Sequence, residues 1–174
     1  MRYAVGIGSN LGDRAGHIAA AADVLAAAGQ VDLCAVSRLY ETAPVGGPPD
    51  QGPFLNGAWI VATQLEPLAL LRHLLAIEQC LGRQRQEHWG PRTIDLDLLL
   101  AEDGRVVEHA DVRLPHPLLH RRAFVLIPLV EIAADWPHPC LGCTVAELAD
   151  GLGASDLVIT AQAAHMDGHG TRNG

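Results

Sequence analysis

Trp89-Gly90-Pro91-Arg92-Thr93-Ile94-Asp95-Leu96-Asp97-Leu98-Leu99-Leu100 sets two acids one residue apart inside an otherwise apolar run. On a strand, side chains at i and i+2 share a face. Asp95 and Asp97 therefore project together, while Ile94, Leu96 and Leu98 pack on the opposite side. Two carboxylates so close repel each other and resist loss of water unless a positive charge joins them. A divalent cation answers that need, since Mg²⁺ takes one or two carboxylates plus phosphate oxygens. Arg92, directly upstream, adds a donor suited to an anion. The plainer alternative is a solvated strand end carrying surface acids.

Working outward, residues 94–101 read as a strand, with Asp103-Gly104 as a hairpin turn into Val106-Val107. Upstream, residues 67–81 carry Leu68, Leu71, Leu74, Leu75, Ile77 and Leu81 at helical spacing. Pro67 opens that helix and Gly82 closes it. Residues 3–7 form a short buried strand, and a helix over 13–28 shows the small apolar face Ile18, Ala21, Ala22, Leu25. Strands are expected over 33–42 and 56–64, separated by a Pro/Gly-rich loop over 43–53. Leu114-Pro115-His116-Pro117 is a rigid corner, and 118–132 is expected to be helical with an interruption near Pro128. Thr144-Val145-Ala146-Glu147 has the capping-box pattern of a last short helix. Strands separated by helices, with a hairpin, predict an α+β fold with a mainly antiparallel sheet. A single domain over 1–161 is expected, followed by a disordered tail over 162–174.

Formal net charge is −8 among 174 residues, which argues against nucleic acid or an anionic membrane surface as partner. All 12 basic side chains are Arg, so no lysine-dependent phosphate loop or Schiff base is available. No apolar run reaches the roughly 18–20 residues that span a bilayer. The first strand turns to Gly-rich loop too early for a signal peptide, so a cytoplasmic protein is expected. Gly6-Ile7-Gly8 with Gly12 mimics a dinucleotide fingerprint, but Asp32 precedes the next strand instead of ending it. Cys140-Leu141-Gly142-Cys143 lacks the second ligand pair of a zinc site and reads as a turn.

Four blocks together resemble the 6-hydroxymethyl-7,8-dihydropterin pyrophosphokinase family. They are Gly8-Ser9-Asn10-Leu11-Gly12; Tyr40-Glu41-Thr42-Ala43-Pro44-Val45-Gly46 with Phe54-Leu55-Asn56; Arg83-Gln84-Arg85 with Trp89 through Asp97; and Pro115-His116-Pro117 with Arg121-Arg122-Ala123-Phe124. The resemblance covers roughly residues 3–149. It implies pyrophosphoryl transfer from ATP to the hydroxymethyl oxygen of the dihydropterin, with AMP released. It also implies a ferredoxin-like sandwich, two Mg²⁺ ions and a monomer.

By that resemblance Asp95 and Asp97 hold the metal ions, and Arg83 and Arg92 stabilise the polyphosphate. Arg85 belongs to a loop that closes over ATP. Glu78, His116 and Arg122 fall on positions near the nucleotide. Phe54 and Phe124, the only two phenylalanines of the chain, fall on the positions that sandwich the pterin ring. Thr42, Pro44, Val45 and Asn56 line the pterin, and Trp89 resembles a lid over it, shared with the nucleotide site. The family usually has Arg just before that Trp, where this chain has His88. His88 can still bind phosphate when protonated, but less reliably at neutral pH. A non-catalytic pterin- or nucleotide-binding protein on the same fold is the alternative reading.

Overall fold

The computed structural model describes residues 1–44, 51–83, 92–152 and 159–161, the last three as backbone only. Elements run in the order β1 (Arg2–Ser9), α1 (Arg14–Ala27), β2 (Val31–Val36), β3 (Tyr40–Thr42), β4 (Phe54–Thr63), α2 (Pro67–Cys80) and β5 (Asp95–Ala101). There follow β6 (Val107–Glu108), β7 (Arg113–Leu114), a 3₁₀ turn (Leu119–Arg121), α3 (Ala123–Ala133), β8 (Pro137–His138), β9 (Cys143–Thr144), α4 (Val145–Asp150) and β10 (Ile159–Ala161). The main sheet is antiparallel with order β10-β3-β4-β1-β5, and β2 pairs with the far half of β4.

The central strands bury both faces, so alternation sorts their side chains between two apolar layers. Val5, Ile7, Trp59, Val61, Leu96 and Leu98 pack with Ile18, Leu25, Leu70, Leu74 and Ile77 of α1 and α2. Ala4, Ala58, Ile60, Leu99 and Leu100 pack with Val125, Leu126 and Leu129 of α3. The register of β1 on β5 slips between Ala4 and Val5: Ala4 faces Leu100 and Val5 faces Leu98. That bulge lets Leu99 and Leu100 both join the α3 layer, while Ile94, Leu96 and Leu98 stay on the other side as their spacing predicts. The result is a ferredoxin-like α+β sandwich. Asp95 and Asp97 lie on the α3 side, at the end of β5 where α3 leaves the sheet open.

Local signals hold for the helices. Asp13 caps α1 by accepting the Gly16 amide at 3.0 Å, and its buried face is Ile18, Ala21, Ala22 and Leu25. Gly82, at φ +80°, stops the chain beyond α2. Leu70, which the helical pattern did not include, is fully buried there.

Three expectations are corrected. The strand expected over 33–42 divides into β2 and β3, because the Ser37 hydroxyl takes the Ala58 amide at 2.8 Å and donates to Arg38 O at 2.8 Å. The turn at Asp103-Gly104 exists, with Gly104 N donating to Ala101 O at 3.1 Å, but β6 pairs with β7 instead of returning along β5. The helix expected over 118–132 breaks at Arg122, whose backbone is extended (φ −118°, ψ 101°), and not at Pro128. Pro128 is buried inside α3; its missing N–H would have met only the Phe124 carbonyl in the opening turn. The tail over 162–174 lies outside the described residues.

At α4, Thr144 Oγ1 accepts the Glu147 amide at 3.2 Å and Glu147 Oε2 accepts the Thr144 amide at 2.8 Å, closing the capping box. Thr144→Ala is expected to cost about 1 kcal/mol, read as a fall of about 2–4 °C in Tm by thermal melting.

Candidate active site

A cavity of about 610 Å³ opens on the α3 side of the sheet. Its floor is Gly6 and Gly8 of β1, Asn56 of β4 and the two acids of β5. Small residues are required here: a Cβ on Gly8 would stand 2.9 Å from Asn56 Oδ1. Thr42, Ala43 and Phe54 form one wall; His116, Leu118, Arg122, Phe124 and Val125 form the other. Arg92 closes the end beside Asp95.

The cavity has two chemical ends. Phe54 and Phe124 supply aromatic faces, and Arg122 stacks its guanidinium 5.6 Å over the Phe124 ring. Asn56 is buried and spends an Nδ2 hydrogen on Thr42 Oγ1 at 2.7 Å. Its carbonyl oxygen, on the Gly8 side, suits an N–H of a flat heterocycle.

Charge is concentrated at the other end. Asp95 Oδ1 accepts from Arg83 Nη1 at 2.8 Å, and Asp95 Oδ2 is paired with Arg92 Nη1. Arg83 also pairs with Glu78. Glu78 is 1 % exposed and does not line the cavity. Its Oε1 accepts the Leu96 amide at 2.7 Å, a group on the edge of β5 that no strand among the described residues serves. Burial raises the Glu78 pKa, opposed by that amide and by Arg83. Glu78, expected near the nucleotide, thus sits beneath the site and holds both the strand between the two acids and the Arg83 guanidinium.

Asp97 carries the largest perturbation. Burial, and then the charge of Asp95, push its carboxyl from 3.8 up to about 7, against the pull of Arg122 and Arg92. His116 moves the other way, to about 4, through burial and the Arg122 charge. Its position follows from the Pro115 and Pro117 flanks and from its amide, which donates to Leu99 O at 2.7 Å. His116 Nδ1 accepts the Leu118 amide at 3.2 Å, so the neutral ring carries its proton on Nε2 as a donor.

The sequence-predicted Thr42, Phe54, Asn56, Arg92, Asp95, Asp97, His116, Arg122 and Phe124 come together around this one cavity. Arg83 reaches it through Asp95, and Pro44 stands outside its lining. Val45, Arg85, His88 and Trp89 lie outside the described residues. Sequence reasoning missed Leu118 and Val125 as lining and gave Asn10 no role toward Arg92. An Asn directly after a strand, within the Gly8–Gly12 block, was the available signal for the last of these.

The donor set suits Mg²⁺: two hard carboxylate oxygens share a face, and the raised Asp97 carboxyl marks a charge deficit that a cation removes. Among the described residues no three His, Cys, Asp or Glu gather into a closed metal cage. Two protein carboxylates with phosphate oxygens completing the shell is the usual Mg²⁺ arrangement.

Paired acids, arginines and two aromatic side chains around one cavity on an α+β sandwich are groups that phosphoryl transfer uses. Residues 4–134 match the family model described as 7,8-dihydro-6-hydroxymethylpterin-pyrophosphokinase, and the chain belongs to that family. It is therefore an enzyme of the diphosphokinase class. A 2-amino-4-hydroxy-6-hydroxymethyldihydropteridine pyrophosphokinase of Methylorubrum extorquens is 46 % identical over 77 % of this chain and 84 % of its own length. One from Bacillus subtilis is 44 % identical over 74 % of this chain and 75 % of its own. Among solved structures, a wild-type Plasmodium falciparum HPPK-DHPS chain superposes with TM-score 0.64 at 16 % identity and supports the fold. The superposition covers 86 % of this chain and 44 % of that one, so this chain spans less than half its length.

The folded Asp97 carboxyl keeps its proton up to about pH 7, whereas in the unfolded chain it releases it near 3.8. Its contribution to stability is full below pH 4 and lost as pH rises through 7. Asp97→Asn is therefore expected to raise Tm at pH 8 by several degrees, with the difference shrinking as pH falls and closing only near pH 4. Thermal melts across pH 4–8 check this; a constant offset across that range would contradict it.

Proposed function

We propose that this chain transfers the pyrophosphoryl group of ATP to the hydroxymethyl oxygen of 6-hydroxymethyl-7,8-dihydropterin, releasing AMP, in folate biosynthesis. The observation that carries the proposal is the single cavity with an aromatic, amide-bearing end and an acid–arginine end. The pterin ring lies between Phe54 and Phe124, a stacking worth about 1 kcal/mol beyond burial, and offers an N–H to Asn56 Oδ1. Thr42 fixes the Asn56 amide. Pro44, Val45 and Trp89 are assigned to the same end.

ATP occupies the other end. Arg83 and Arg92 are held on Asp95, and each keeps further N–H donors to offer phosphate oxygens. Arg122 and the His116 Nε2–H add donors from the facing wall, and Arg85 and His88 are assigned to the nucleotide too. Two Mg²⁺ ions held by Asp95 and Asp97 would neutralise the triphosphate and stabilise the charge that develops on the departing oxygen. The hydroxymethyl oxygen attacks the β-phosphorus in line; the bond from that phosphorus to the α,β-bridging oxygen breaks, and AMP leaves with that oxygen. The hydroxyl proton is lost to solvent. Phosphoryl transfer of this kind needs little covalent chemistry from the protein, so positioning and charge supply most of the rate.

All four cysteines are unpaired, which suits the cytoplasm, where ATP is supplied. Among the described residues no helix is long and apolar enough to cross a membrane.

Incubation with ATP and Mg²⁺ is expected to give AMP only when the dihydropterin is present. ADP as the product, or AMP without the pterin, would reject the proposal. Asp97→Ala should lower kcat on the order of 10³-fold. Arg92→Ala, which removes a donor to the transferred group, should lower kcat on the order of 10²-fold with a smaller change in the pterin KM.

A further inference from the structure

Arg14 is the first residue of α1, directly after the Asp13 cap. A cation in the opening turn of a helix meets the positive end of its dipole, so α1 itself disfavours arginine there. The contacts that hold Arg14 lie across the fold. Its Nη2 donates to Glu41 Oε2 of β3 at 2.7 Å, and its Nη1 donates to Pro53 O, just before β4, at 2.8 Å. The Arg14 and Glu41 side chains are 26 % and 28 % exposed, so the pair is partly sheltered from water. β3 and β4 pair Tyr40 with Asn56, Glu41 with Leu55 and Thr42 with Phe54. The ladder ends at Thr42–Phe54, and Pro53, next in line, has no amide hydrogen to extend it. End rungs of a ladder open most readily, and this one carries two side chains of the cavity wall. The guanidinium of Arg14 spans it. One nitrogen holds the side chain a residue inside the rung on β3, and the other holds the carbonyl a residue outside it on the β4 side. The opposite face of β3 is held at Tyr40, whose hydroxyl is paired with Glu131 of α3.

We propose that Arg14 is a positioning residue for the pterin end of the cavity: by holding Glu41 and Pro53 together it fixes the last rung, Thr42–Phe54, and with it the wall on which the pterin lies. This rests on the two-substrate reading above. Arg14 does not line the cavity, so it acts through groups that do. Phe54 supplies an aromatic face, and Thr42 holds the Asn56 amide at 2.7 Å. The acid–arginine end hangs on other supports, Glu78 beneath the strand and Asp95 between two arginines. Loss of Arg14 therefore weakens one end of the cavity and spares the other.

The test is steady-state kinetics on the full chain with Mg²⁺, reading AMP release while one substrate is varied and the other is saturating. In Arg14→Ala the KM for the dihydropterin is expected to rise on the order of 10-fold, while the KM for ATP stays within about twofold of the parent. kcat should change less than the pterin KM. Glu41→Gln keeps an acceptor and loses only the charge, so its pterin KM should rise about threefold. This milder variant also carries the test if Arg14→Ala does not fold. Glu41 acts through Arg14, so the double variant should be no worse than Arg14→Ala alone. A purely structural Arg14 would lower Tm and move both KM values together. Equal rises in the two KM values overturn the proposal, as does an unchanged pterin KM in both single variants or full additivity in the double one. A parent chain that releases no AMP when the dihydropterin is added overturns the two-substrate reading itself, and the role of Arg14 with it.

Discussion

Two carboxylates on one face of the open end of β5 repel each other, and the site is organised around that repulsion. Asp95 is met by two guanidiniums, Arg83 and Arg92. Asp97 is left with its carboxyl raised to about 7. Neither acid would stay aimed into the cavity if β5 could slide or twist. Glu78 prevents this from below by bonding the one backbone amide that lies between them, and the same carboxylate steadies Arg83. A buried glutamate is costly unless it is paired and hydrogen-bonded, and here it is both. The pairing also explains why a charged side chain occurs on the otherwise apolar inner face of α2.

The cavity exists because that side of the sheet is under-filled at one end. Gly6 and Gly8 remove side-chain volume from β1, and α3 begins only at Ala123, after the extended Arg122. Arg122 thereby serves as the turn into α3 and as a cation facing Asp97. The Leu99 bulge contributes too: it keeps the apolar layer beneath α3 continuous while leaving Asp95 and Asp97 on the open stretch of the same face. Storing unneutralised charge in such a place weakens the folded state and prepares it for cationic and anionic ligands, the usual trade of stability for activity.

Periodicity made the helices legible. The face Ile18, Ala21, Ala22, Leu25 is the buried face of α1, and the Asp95–Asp97 pair does share one side of β5. Local hydrogen bonding overrode pattern elsewhere. The Ser37 hydroxyl split one expected strand in two, and an extended Arg122, not Pro128, interrupted the third helical stretch. Neither event leaves a mark in hydrophobic spacing, because each depends on what a polar group finds across the fold. The partner of β6 was equally invisible, since a turn signal at Asp103-Gly104 does not say which strand the chain pairs with afterwards.

Residue type and spacing determined which groups this protein has to work with: two acids with i, i+2 spacing, an all-arginine set of cations, and two phenylalanines in an aromatic-poor chain. Short-range geometry suffices for that much, because a strand fixes the side of a residue two positions away. Only the tertiary structure decided that Glu78 serves the Leu96 amide and not a ligand, that His116 is held neutral, and that Asn10 joins Arg92 to the segment before Phe54. Each of these depends on partners distant in sequence and on the water excluded between them, and burial and long-range hydrogen bonding are properties of the packed chain.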